Sequence, residues 1–146
     1  MSMLGVLIAA LLVLGPPRAD DGTNAGVSKK LTGTWQLTRG VVGGNALPGE
    51  AVKKIRLELT DGKYRLTGAE SPDEGTWTLH PDKKPLGLDV TGTDGPNKGK
   101  TFLAIFELDG DKLKVCYDLS GRERPTRFES KEKTLLFLAE YKRVKQ

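Results

Sequence analysis

The chain has 146 residues, 37% of them apolar, 29% charged and only 6% aromatic, with a formal net charge of +4. That length suits one domain and excludes a two-lobed enzyme with a substrate cleft between lobes. A single cysteine excludes an internal disulfide framework, and together with a single histidine it cannot build a Cys/His zinc site.

Residues 1–17 carry no charged side chain, and 3–14 (MLGVLIAALLVL) are nearly all apolar. The run falls short of the roughly 20 residues a membrane span needs, and Gly15-Pro16-Pro17 breaks any helix there. An apolar stretch of this length at the extreme N-terminus reads as a secretory signal. Segment 1–19 is therefore expected to be a signal peptide cleaved after Ala19 or, if retained, an N-terminal anchor. Both readings place the protein outside the cytoplasm: periplasmic, cell-surface or secreted. No cysteine follows the run, which excludes a lipid-anchored lipoprotein. Residues 20–30 (DDGTNAGVSKK) are polar and without period, and read as a flexible lead-in to a domain over 31–146.

From Leu31 onward short apolar runs alternate with turn residues, the pattern of an all-β chain. The first strand is expected over 33–39, with Trp35 and Leu37 on one face. Gly43-Gly44-Asn45 turns the chain, and 47–54, opened by Pro48, holds the one plausible helical turn. In 54–60, Ile55, Leu57 and Leu59 alternate with Arg56 and Glu58. Asp61-Gly62 then signals a tight hairpin into 63–68. Further strands follow over 75–80, 86–91, 100–108, 112–119 and 134–144, with a polar excursion over 120–133. The 100–108 strand is apolar on both faces, so its outer side needs a cover. Eight sequential strands without a βαβ unit hide their edges most simply by closing into an up-and-down barrel. A two-sheet sandwich is the alternative. The expected inward set is bulky: Trp35, Leu37, Leu57, Leu59, Tyr64, Leu66, Trp77, Leu88, Phe102, Phe106, Val115, Tyr117 and Phe137.

Leu31-Thr32-Gly33-Thr34-Trp35 resembles the Gly-X-Trp signature of lipocalin-like, calycin-type barrels. The resemblance implies that Trp35 caps the closed end with a basic residue of the last strand across its ring. Of Lys142 and Arg143, the better match is Arg143. A longer set is similar to a lipocalin-like domain family of exported planctomycete bacterial proteins. It joins Gly75-Thr76-Trp77, Pro85, Asp89, Gly95-Pro96-Asn97-Lys98-Gly99-Lys100, Gly110-Asp111, Leu113, Cys116, Arg124-Pro125 and Phe128, and spans about residues 31–144. The resemblance implies an extracytoplasmic barrel, and brings no established activity with it.

Several stretches invite chemistry. A phosphate loop at 95–101 would need glycine where Asp94 stands and a helix after it, whereas 101–108 reads as a strand. Asp109-Gly110-Asp111 lacks the ligand spacing of a calcium loop and reads as a turn. His80 and Cys116 could form a catalytic pair only if the fold brought them together, and a meander separates their strands. Cys116 is instead expected to be a structural thiol under the 120–133 excursion. Three arginines surround Pro125 and Phe128 in 121–128 (GRERPTRF). They could clamp an anion, with Arg124 as the candidate, or fold back on the barrel with Phe128 as anchor and an arginine paired to Asp118 or Asp89. The lysines are scattered and the aromatics lie at inward positions, which excludes the basic, aromatic-lined groove of a single-strand nucleic-acid binder.

The expected function is the binding of a small apolar or amphipathic ligand in the barrel, with Trp77, Phe102 and Tyr117 lining the site and Arg124 beside it. Neither catalysis, a cofactor nor a metal is expected. The alternative is a structural or interaction module of the envelope with a filled core. A barrel of eight strands has room for side chains or for one small ligand.

Overall fold

The computed structural model describes residues 24–145. The expected signal segment 1–19 and residues 20–23 lie outside the described residues. The elements are helix α1 (Asn24–Leu31), strands β1 (Gly33–Val42) and β2 (Asn45–Ala46), helix α2 (Gly49–Lys54), then β3 (Arg56–Thr60), β4 (Lys63–Thr67), β5 (Asp73–His80), β6 (Leu86–Asp94), β7 (Thr101–Asp109), β8 (Lys112–Asp118) and β9 (Leu136–Arg143).

Every neighbouring pair of strands is antiparallel, and β9 returns to pair with β1 from Trp35↔Arg143 to Val42↔Phe137. This closure makes an eight-stranded barrel of β1 and β3–β9, the lipocalin-like architecture, and removes the sandwich alternative. The two-residue β2 is a small ribbon folded back on the end of β1. The hairpin turns between β3 and β4, β5 and β6, and β7 and β8 lie at the end where β1 begins. The segments leaving β1, β4, β6 and β8 lie at the other end.

Alternation decides what points inward. In β3 the burial pattern is exposed, buried, exposed, buried, exposed, so Leu57 and Leu59 enter the core while Arg56 and Glu58 meet solvent. The inner cluster contains the expected inward side chains other than Phe102, with Leu66, Tyr117 and Phe137 only partly buried, and adds Val52, Val90, Leu113, Ala139 and Tyr141. Phe102 is half-buried and lines the interior. A second cluster lies outside the barrel wall. Val41, Ile105, Cys116 and Leu138 form it, and Phe128 and Leu136 close over it. That is the cover the doubly apolar β7 required.

The segment 24–30, expected as flexible lead-in, is the body of α1. Val27 and Leu31 are one turn apart on the same helix face and are 4% and 1% exposed, so they plug the base of the barrel. Too little of this helix is apolar for its sequence to announce it, and the barrel supplies the partner surface. Trp35, fully buried, donates from Nε1 to the Leu31 carbonyl at 2.9 Å. Burying an indole of this size stabilises the fold by about 4–6 kcal/mol. Arg143, paired with Trp35 across β1 and β9, lays its guanidinium 4.3 Å from the indole centroid. Its two terminal nitrogens donate to the Thr32 and Lys30 carbonyls, and Nε faces Asp111 at 3.3 Å. The last two carbonyls of α1, those of Lys30 and Leu31, are thereby satisfied by side chains of the barrel.

Gly33 is fixed by this arrangement. Its φ is +142°, and a Cβ there would stand 2.8 Å from the Arg143 Nη1. Gly33→Ala is expected to cost about 1–3 kcal/mol, and Arg143→Met about 2–4 kcal/mol through lost charge-assisted hydrogen bonds and ring contact. Urea denaturation of the two variants checks both values.

Candidate functional site

Inside the barrel, above the plug, lies a cavity of about 100 Å3. Its walls are apolar side chains from nearly every strand, among them Leu57, Trp77, Val90, Phe102, Val115 and Phe137. Trp77 is held by a hydrogen bond from Nε1 to the Lys63 carbonyl at 3.1 Å. Tyr117 stacks on Phe137 with ring centroids 5.6 Å apart. Burial pushes the Tyr117 and Tyr141 hydroxyls up, that of Tyr141 to about 12, so both stay protonated. Trp77, Phe102 and Tyr117, chosen from sequence as lining residues, are thus brought together around one space.

Arg124 is not with them. It lies on the outer wall, where Nη2 donates to Asp89 Oδ1 at 2.6 Å and Nη1 to the Ala104 and Leu88 carbonyls at 2.9 and 3.3 Å. Three acceptors use the guanidinium as a brace, and the candidate anion clamp is corrected to the folded-back loop. The reason is geometric: Asp89 points outward from β6, and Gly87 beside it is bare enough for the arginine to lie down. His80 Nε2 meets the other Asp89 oxygen at 2.9 Å. Burial raises the Asp89 carboxyl, and the hydrogen bonds and charges of Arg124 and His80 outweigh it, holding the group below its ordinary value. Arg122 and Arg127, with Arg124, line a shallow surface depression of about 400 Å3.

Asp118, the other offered partner, forms no ion pair with an arginine side chain among the described residues. It ends β8 and receives the Ser120 amide and hydroxyl on Oδ1 and the Arg122 and Glu123 amides on Oδ2, at 2.6 to 3.1 Å. Burial raises its carboxyl, but the Ser120 hydroxyl and the three amides lower it further, so the net direction is down. This carboxylate turns the chain into the excursion that ends with Phe128 over Cys116. The thiol is wholly buried and donates to the Glu129 carbonyl at 3.3 Å. Burial pushes it up despite that hydrogen bond, which keeps it from ionising. His80 and Cys116 each have other partners, and the fold does not assemble them as a pair. Among the described residues no group of three His, Cys, Asp or Glu side chains could hold a metal, and no helix is long and apolar enough to cross a membrane.

Sequence reasoning missed one polar group of the interior. Asp73 opens β5 facing inward, 6% exposed, where alternation from Gly75 had begun the strand too late. It lines the cavity together with Tyr64 and Asn97, whose hydroxyl and amide donate to Asp73 Oδ2 at 3.1 and 2.9 Å. The Tyr64 ring lies across Gly75, where a Cβ would come within 2.5 Å of Cε1. Burial, then the Asp73 charge and hydrogen bond, push the Tyr64 hydroxyl up. Asp73 faces inward by the same alternation as Gly75 and Trp77, and the strand starts two residues earlier than its apolar pattern announces because its first inward positions are an aspartate and a glycine.

Comparison with protein-family models, with curated proteins and with solved structures finds no match.

Asp118→Ala is expected to cost about 2 kcal/mol by leaving loop amides unpartnered, and to make Cys116 react faster with a thiol reagent. Carboxyls held low in the folded state give stability that is present above about pH 4 and lost as the pH falls further. Denaturation midpoints followed from about pH 7 to 3 should therefore fall less steeply for Asp118→Ala than for the unmodified chain.

Proposed function

We propose that this chain is an exported, calycin-type lipocalin-like protein, akin to the planctomycete family its sequence resembles, and that it binds one compact apolar or amphipathic molecule inside its barrel without catalysing a reaction on it. The observation that carries the reading is the apolar space of about 100 Å3 inside the barrel, lined by Trp77, Phe102 and Tyr117. Pockets for drug-sized ligands run to about 300–1,000 Å3, so the ligand is small. An engineered apolar cavity of about 150 Å3 binds benzene or xenon, which sets the scale. The export half of the reading is supported by the apolar run at 3–14, broken by Gly15-Pro16-Pro17.

The same small volume favours a second reading, an envelope interaction module whose core is essentially full. Against it, Leu135, at 57% exposed, is the only large hydrophobic side chain exposed among the described residues. A protein-docking face usually offers a contiguous apolar patch.

Mass spectrometry of the intact protein purified from its native envelope separates the two. Binding predicts a small mass increment under native conditions that vanishes on denaturation, with an N-terminus at Asp20. A filled module predicts identical masses in both conditions.

A further inference from the structure

Given the ligand-binding reading above, we infer that the ligand carries a primary ammonium group, and that Asp73 receives it. Among the side chains that line the cavity, Asp73 is the only charged one, and it stands 6% exposed on the wall. Its Oδ2 is fully used by Tyr64 and Asn97. Its Oδ1 is buried and has no hydrogen-bond partner among the described residues. Nor does any lysine, arginine or histidine among them form an ion pair with Asp73. A carboxylate in this position wants a cation with N–H donors, because burial without a counter-charge is costly.

The surroundings agree with a cation on a short apolar stem. Trp77, Phe102 and Tyr64 present ring surface around the space, and aromatic faces attract ammonium groups. An anion would face Asp73 across a medium of low polarity and be repelled. A hydrocarbon would fill the space but leave Oδ1 as it is. The neighbouring donors are fixed rather than adaptable: Tyr64 lies flat on Gly75, and Asn97 sits in a segment bonded back to Gly92 through the Gly99 amide at 2.9 Å. Fixed partners on Oδ2 leave Oδ1 as the recognition point, which gives the site direction as well as charge.

Three probes of equal chain length decide the matter: n-butylamine, n-butanol and butyrate at neutral pH. Each is titrated into the full domain while the indole N–H resonance of Trp77 is followed, with Trp35 as an internal control. The expected ranking is amine, then alcohol about tenfold or more weaker, then butyrate without effect, and Asp73→Asn should erase the amine's advantage. Equal binding of amine and alcohol, or an advantage that survives Asp73→Asn, overturns the inference and leaves the ligand-binding barrel standing. If none of the three moves Trp77, both fall. The ranking in the unmodified chain decides even if Asp73→Asn does not fold.

Discussion

The pairing of the first barrel strand with the last is the constraint from which the rest follows. Closing β1 on β9 sets Trp35 opposite Arg143, so the guanidinium has nowhere to lie but on the indole. Once there, it reaches the carbonyls at the end of α1 and holds that helix against the base. One cross-strand register therefore joins the two ends of the described chain, seals one mouth of the barrel and dictates glycine at position 33. The indole contributes twice, by burying its rings and by donating to Leu31. An apolar side chain at 35 would fill the space but leave the helix carbonyl unanswered.

The interior and the outer wall divide the remaining work. Outside, Asp89, Arg124, Asp118 and Phe128 strap the long connection between β8 and β9 over a second apolar cluster. That connection is rich in arginine yet spends its best-placed one on carbonyls and a carboxylate of the wall. Inside, the apolar lining is interrupted only near Asp73 and by the Tyr117 and Tyr141 hydroxyls, which burial keeps protonated. The binding reading thus rests on the inner face alone, and the arginines belong to the architecture that shapes it.

The strands were legible because a barrel wall with one wet face imposes strict alternation, as Ile55 to Leu59 illustrate. The cover over β7 was legible for the converse reason: apolar residues on both faces demand one. The fold-back of the arginine loop was one of two arrangements legible in the sequence, which could not choose between Asp89 and Asp118 as the partner. Helix α1 was illegible because Val27 and Leu31 are its only large apolar residues, and its stability comes from a surface built elsewhere in the chain. Asp73 was missed for a sharper reason. An inward aspartate contradicts the polarity pattern used to find strands, and its partner Asn97 sits in a glycine-rich stretch that reads as a solvated hairpin. The local rule failed at the place where the interior is chemically distinctive, which is where functional residues tend to break such rules.

Whether the barrel encloses a usable chamber is tested most directly by xenon-129 NMR of the folded domain. A chamber lined by Leu57, Val90 and Val115 predicts a saturable, protein-dependent shift of the xenon resonance that disappears when Val90→Phe fills the space. A shift no larger than that of a non-specific protein surface, and unchanged by Val90→Phe, would contradict the chamber and with it the binding function.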